Sequence, residues 1–227
     1  MTSGLRQLHQ DITVCRRCPR LVAWREEVAQ VKRKAYQDWT YWGRPVPGFG
    51  GVKAALVILG LAPAAHGANR TGRMFTGDES GNWLYRALFH AGFANQPTSD
   101  HVKDGLALKN CYVTASARCA PPDNKPDKTE LQRCAPFLDR ELALLTRARV
   151  VVCLGRVAWD TYLAWVVRSG GTVPRPRPAF GHLASVEEGL PHVLLGSYHP
   201  SQQNTFTGRL TRKMLDDVFT LAAGYCR

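Results

Sequence analysis

Four cysteines are the residues of this chain best suited to chemistry: Cys15 and Cys18 near its start, Cys119 and Cys134 in its middle. They form a C-x₂-C pair and a C-x₁₄-C pair about a hundred residues apart. Two thiol pairs so widely separated suggest one metal site that staples the N-terminal segment onto the main domain. Four thiolates suit zinc and iron–sulfur clusters alike, so spacing leaves the two tied. Arg16, Arg17 and Arg20 flank the first pair, and Arg118 and Arg133 the second. Each guanidinium can offset the charge of the thiolate form that a metal requires. The competing reading is a set of unrelated buried thiols, since C-x₁₄-C is a looser pattern than C-x₂-C. Of the remaining cysteines, Cys111 and Cys153 sit in apolar runs and read as inert core residues.

Three further stretches carry polar chemistry. The first, Gly60 to Leu84, reads GLAPAAHGANRTGRMFTGDESGNWL. Its small residues, Gly60 and Ala62 among them, permit close backbone approach, but it holds neither a Walker A nor a G-x-G-x-x-G pattern. Phe75, between turn formers, suits a stacking platform for a base, or alternatively a place in the core. Asp78 precedes a helical pattern and can cap it, or can orient water or stabilise developing positive charge. The second stretch, Arg118 to Pro126, is stiffened by three prolines and carries Asn124, a residue favoured in turns. The third begins Tyr198-His199-Pro200-Ser201 and continues through Gln203 and Asn204. Its histidine can donate to a leaving-group oxygen.

The elements that must position these stretches follow from apolar patterning. Residues 54–60, 110–115, 150–155 and 192–198 are short continuous apolar or β-branched runs, as parallel strands covered on both faces require. Helical patterns at 81–91, 129–147, 156–167 and 208–223 alternate with them. The fold class is therefore α/β: a three-layer α/β/α sandwich around a four-stranded parallel sheet. Residues 5–34 read as one or two helices broken at Cys15–Pro19, and 36–51 as a Trp/Pro/Gly-rich loop. We expect one domain over 1–227, with 1–51 as the helical and loop segment tied on by the metal. Ligands in such sheets lie beyond the carboxyl ends of the strands, where all three polar stretches fall.

The chain has 227 residues, 44% apolar and 21% charged, enough to bury a real core. Its net charge of +12 favours a polyanionic partner. Met1 to Asp11 is polar, with no secretory leader pattern, and no apolar run approaches a membrane span. The expectation is a cytoplasmic, nucleoid-associated monomer that keeps its cysteines reduced.

Together, the cysteine quartet, Gly60–Asp78, Cys119–Pro126 and His199–Asn204, in this order, resemble the type 5 branch of the iron–sulfur uracil-DNA glycosylases. The resemblance implies a structural 4Fe–4S cluster on Cys15, Cys18, Cys119 and Cys134. It also implies monofunctional excision of uracil from double-stranded DNA, with single-stranded DNA as a further substrate form, leaving an abasic site. Asp78, Asn124 and His199 would be the catalytic residues, and Gly60, Ala62, Phe75, Ala115, Ser201, Gln203 and Asn204 would contact the substrate. Related glycosylases carry Glu where this chain has Leu61 and a base-reading Asn where it has Ala115. The type 5 branch shares both losses and is associated with a wider range of bases, including hypoxanthine, xanthine and etheno-cytosine. A metal-stapled nucleic-acid-binding module without catalysis is the alternative, though it has no need of His199 and Asp78.

Overall fold

The computed structural model describes residues 3–227; Met1 and Thr2, the start of the segment assigned to 1–51, lie outside the described residues. Two helices come first, α1 (Ser3–Thr13) and α2 (Pro19–Val31), separated by the Cys15–Cys18 turn. Pro19 opens α2, where a missing N–H costs nothing. There follow β1 (Phe49–Gly50), β2 (Leu56–Gly60), α3 (Ala68–Thr71), α4 (Glu79–His90) and β3 (Cys111–Ala115). The second half runs α5 (Lys128–Leu144), β4 (Val150–Leu154), α6 (Arg156–Arg168), β5 (Ser185–Val186), β6 (Val193–Ser197), α7 (Gln202–Phe206) and α8 (Arg212–Tyr225).

Among the described residues the strands form one sheet in the order β1-β3-β2-β4-β6-β5. Its centre is the four-stranded parallel sheet that the apolar runs predict, with Leu56 opposite both Cys111 and Val150, and Val150 opposite Val193. The antiparallel two-residue strands β1 and β5 extend it at the edges. β1 lies in the stretch read as a loop and β5 outside every predicted element, because two residues carry no period to detect.

Alternate strand residues face opposite layers. Leu56, Ile58, Val113 and Val152 pack with α4 and α8 through Leu84, Leu88, Val218 and Phe219. Val57, Leu59, Tyr112 and Val151 pack with α1, α5 and α6 through Leu8, Leu138, Trp159 and Leu163. Each Leu, Ile or Val removed wholly from water contributes roughly 1.5–3 kcal/mol, so the two faces jointly dominate stability. No helix of the described residues is long and apolar enough to cross a membrane.

Helix starts are set by caps more than by periodicity. Asp78 accepts from the Gly81 amide at 2.9 Å, which begins α4 at Glu79, two residues before the apolar pattern does. Asp127 and Glu130 make a reciprocal capping box at the head of α5. Thr211 caps α8, so Gly208 to Thr211 is not part of that helix; Gly208, at φ 71°, instead follows α7. That short helix, capped by Ser201, was not evident in the sequence pattern.

Candidate active site

The parallel strands end on one side, and the loop after β2 folds back over that end. Gly60 is the last residue of β2, and a Cβ there would come within 2.7 Å of the Phe75 ring. Glycine is required so that the aromatic can lie across the strand terminus. Phe75 itself has φ 53°, a left-handed conformation that costs a non-glycine residue roughly 1–3 kcal/mol. Its neighbours hold it there. Arg73 Nε donates to Thr76 Oγ1 at 2.8 Å, and Thr76 Oγ1 meets Ser99 Oγ at 2.7 Å. Arg73 also grips Asp104 through two bonds of 2.9 and 2.6 Å, and Tyr85 donates to the Met74 carbonyl at 2.8 Å. Burial opposes ionisation of Asp104, yet the bonds from Arg73 and from the Leu106 and Asp100 amides bring its pKa down to about 2. On the far side, a Cβ on Gly81 would strike the Phe75 carbonyl oxygen at 1.9 Å.

Two ionisable groups join this ring. Phe75 and His199 have centroids 5.9 Å apart and planes 31° apart. Burial pushes the His199 pKa down to about 4, so its imidazole is neutral at physiological pH. Its carbonyl accepts from Asn204 Nδ2 at 2.8 Å, which binds the strand exit to α7. Asp78 spends one oxygen on its cap, while Oδ2 lies against Gly67, where a Cβ would be only 1.8 Å away. Burial raises the Asp78 pKa, against the Gly81 and Ser80 amides and the Arg70 guanidinium, which favour the charged form. Arg70 braces that turn by donating to the carbonyls of His66 and Gly77, each at 2.7 Å. Beside His199 opens a cleft of about 370 Å³ lined by Gly155, Arg156, Phe180, Tyr198, Asn204 and Arg209.

The four cysteines meet in one pocket. Cys15, Cys18, Cys119 and Cys134 line it with Arg25, Arg118, Arg133 and Phe137. Among the described residues no three His, Cys, Asp or Glu side chains converge on a single ion. Four cysteine side chains around one pocket are a donor set that suits a zinc ion or an iron–sulfur cluster alike. Arg25, 2% exposed, donates to Cys119 Sγ at 2.9 Å. Arg118, 1% exposed, is paired with Glu141, to which Tyr112 and Thr114 also donate. The Nε atoms of both arginines are buried without a hydrogen-bond partner, an unusual cost that an anionic group in this pocket would relieve. Burial raises the thiol pKa values, Cys119 to about 11 and Cys134 to about 12, against the pull of Arg25 and Arg118 respectively. A metal here must displace those protons.

A fold of this topology admits many chemistries, so sequence relationship is the deciding observation. The family model described as the uracil DNA glycosylase superfamily matches residues 47–221. The chain belongs to that superfamily. It is 55% identical over 214 residues to a protein of Mycobacterium tuberculosis named type-5 uracil-DNA glycosylase, covering 94% of this chain and 78% of that one. A Thermus thermophilus protein of the same name is 50% identical over 209 residues, 92% of each chain. A type-4 uracil-DNA glycosylase of Archaeoglobus fulgidus is 33% identical over 158 residues, 69% of this chain and 70% of its own.

Within this superfamily member, the sequence-predicted residues separate into groups. Gly60, Phe75, Asp78 and His199 gather around the strand ends. Ala115 ends β3 directly opposite Gly60 and is buried in the core face that also holds Phe75. Ala62 is half-buried just past β2. Ser201 accepts from the Asn204 amide as the cap of α7, a structural duty, and Gln203 is exposed on that helix. Asn124 stands apart. It is exposed, at φ 55° in the Pro122–Asn124 turn, and among the described residues its side chain makes no hydrogen bond. Sequence reasoning missed Gly67 and Gly81, whose contacts lie elsewhere in the same loop, and the Arg73–Asp104 pair and Arg25, whose partners are distant in sequence.

Proposed function

We propose that this protein is a monofunctional DNA glycosylase that removes uracil from DNA and leaves an abasic site. It would act as a monomer on nucleoid DNA, taking its target base from double-stranded DNA by extrusion. The observation that carries this reading is the Phe75 ring, held in a strained backbone over Gly60 and against a neutral His199. An aromatic face beside a neutral donor suits an extruded base that must be stacked and then released as an anion.

Phe75 stacks on the base. The bond between C1′ of the deoxyribose and the base nitrogen breaks, and its electron pair leaves with the base. His199 Nε2–H or Nδ1–H and the backbone amides near Ala62 stabilise that anion. Asp78 stabilises the cationic sugar or orients water, whose hydroxyl joins C1′ while its proton passes to the departing base or to solvent. Asn124, exposed on the second loop, would assist from the DNA side. Ser201 and Asn204 set the α7 turn near the phosphates, and Gln203 fills the vacated stack.

Ala115 and Leu61 offer no polar group to read a base edge, so a wider set of deaminated or damaged bases should be accepted: hypoxanthine, xanthine and etheno-cytosine. A base that lacks uracil's hydrogen-bonding edge then leaves no buried partner unpaired. We assign a structural 4Fe–4S cluster to Cys15, Cys18, Cys119 and Cys134; the unpartnered guanidinium nitrogens beside them support it. When bound, the cluster would supply a rigid tie rather than electron transfer. A module that only binds DNA needs no carboxylate at Asp78, since asparagine would cap α4 almost as well without the cost of a buried charge.

Duplexes with one uracil, one hypoxanthine or no lesion test the activity. Alkali should cut the first two at the lesion, with no nick before alkali. Absence of base release from every damaged duplex would sink the reading. For the cluster, a brown preparation with broad visible absorption is expected, and a colourless zinc-loaded protein would overturn it.

A further inference from the structure

The segment between α2 and β1 takes no part in the chemistry above, yet it is built onto the same loop. Trp42 N donates to the Arg70 carbonyl at 2.9 Å and Gly43 N to that of Asn69 at 3.0 Å. Both acceptors belong to α3, whose preceding Gly67 touches Asp78. Two tryptophans stand on this segment, Trp39 and Trp42, each 36% exposed and packed into neither core face. Their rings are nevertheless backed by the protein. The buried Arg70 guanidinium lies 4.1 Å from the Trp39 ring and 3.9 Å from that of Tyr36. Trp42 presses on Gly72, where a Cβ would be 3.0 Å from its indole, and donates through Nε1 to the Pro45 carbonyl at 3.1 Å. Residues 32–45 also hold four cations, Lys32, Arg33, Lys34 and Arg44, against the single carboxylate of Asp38.

Fixed, half-exposed indoles among cations match what unpaired nucleic acid requires: aromatic faces for bases and positive charge for phosphates. Bases stacked inside a duplex offer no free face to an indole, whereas single-stranded bases do. We propose that the Trp39–Trp42 shelf is a binding subsite for unpaired DNA bases flanking the target. The inference rests on the glycosylase reading for the meaning of "target", but binding to the shelf needs no excision.

The test uses an undamaged fluorescent oligothymidylate and an undamaged duplex of equal length at one fixed salt concentration. Replacing both residues, Trp39→Ala with Trp42→Ala, should weaken single-strand binding about tenfold or more while duplex affinity stays within about twofold. Single-strand affinity within about twofold of the parent, or an equal loss on both probes, would overturn the proposal. Because the double variant removes packing from Arg70 and Gly72, a second measurement uses the unaltered protein. A 5-bromouracil-containing single strand, irradiated, should crosslink to the peptide carrying Trp39 and Trp42; crosslinks confined to other peptides would overturn it. Since oligothymidylate and the undamaged duplex contain no uracil, a protein that binds thymidylate yet releases no uracil leaves this inference standing and removes only the glycosylase reading.

Discussion

Asp78 shows how two duties can be separated at one residue. Its Oδ1 caps α4, a task asparagine performs almost as well, whereas the negative charge pays a burial penalty seen as a raised pKa. A carboxyl whose folded pKa exceeds its unfolded value favours folding at low pH and loses that contribution as pH rises. Asp78→Asn should therefore leave the thermal midpoint unchanged or raised at pH 7, while single-turnover excision of uracil falls about tenfold or more. Equal losses of stability and rate would return Asp78 to a purely structural role. His199 makes the opposite pH statement. With a folded pKa of about 4, below the ordinary 6.5 of histidine, it is charged in the unfolded chain before the folded one, so stability declines as pH falls through that window. Its neutral form persists above the window, so a pH–rate profile should show no His199 ionisation between about pH 6 and 8, and His199→Ala should cost roughly 10²–10³ in rate. A rate that fell with a midpoint near 6.5 and lost that midpoint in His199→Ala would contradict a neutral donor.

Among the elements, the loop from β2 to α4 is the one whose shape decides the site, and it is held from outside itself. Thr76 Oγ1 takes the Arg73 Nε–H and bonds Ser99, a residue more than twenty positions on. Thr76→Val keeps the volume and deletes the hydroxyl, leaving buried donors unsatisfied at about 1–3 kcal/mol. Uracil excision should fall more than affinity for an abasic-site duplex, since Phe75 is displaced while the cationic surface is not; parallel loss of both would mean general unfolding. This network marks the limit of what could be read beforehand. Residues 150–155 identified β4 because a buried parallel strand must be continuously apolar, and His199 stood out because it closes such a strand. Gly60 and Phe75 could be suspected individually, but not their contact, which depends on a backbone turned to φ 53°. Asn124 drew attention by loop composition, and it stands at φ 55° in a turn, a conformation for which Asn is suited. Gly67 and Gly81 carry no local signal, because what excludes a Cβ at each is another part of the loop.

For the whole molecule, the N-terminal segment is attached by two different means, and they should fail separately. Helix α1 docks through Leu5, Leu8 and Ile12, all fully buried in the face shared with α5 and α6, and needs no metal for that. Helix α2 buries less and is joined to the second loop and the head of α5 by polar contacts: Arg20 with Glu130 at 2.6 Å, Arg20 Nη2 with the Lys125 carbonyl at 3.1 Å, and Arg25 with Cys119. Arg20 is 45% exposed, so its pair with Glu130 adds little, typically under about 1 kcal/mol, and a cluster on the four cysteines, as proposed, would strengthen this join. If they hold a cluster, its removal by oxidation and chelation leaves two buried arginines beside protonated thiols, which favours opening of the pocket. Hydrogen exchange in the iron-free protein should then accelerate across Pro19–Val31 and residues 118–126, while amides of β2 and β4 keep their protection and α1 changes little. DNA affinity would drop with the loosened second loop, whereas far-ultraviolet circular dichroism would lose only a fraction of its helical signal. Uniform acceleration through the central strands would mean that the cysteine site supports the core itself, and no change in α2 would mean that it ties nothing.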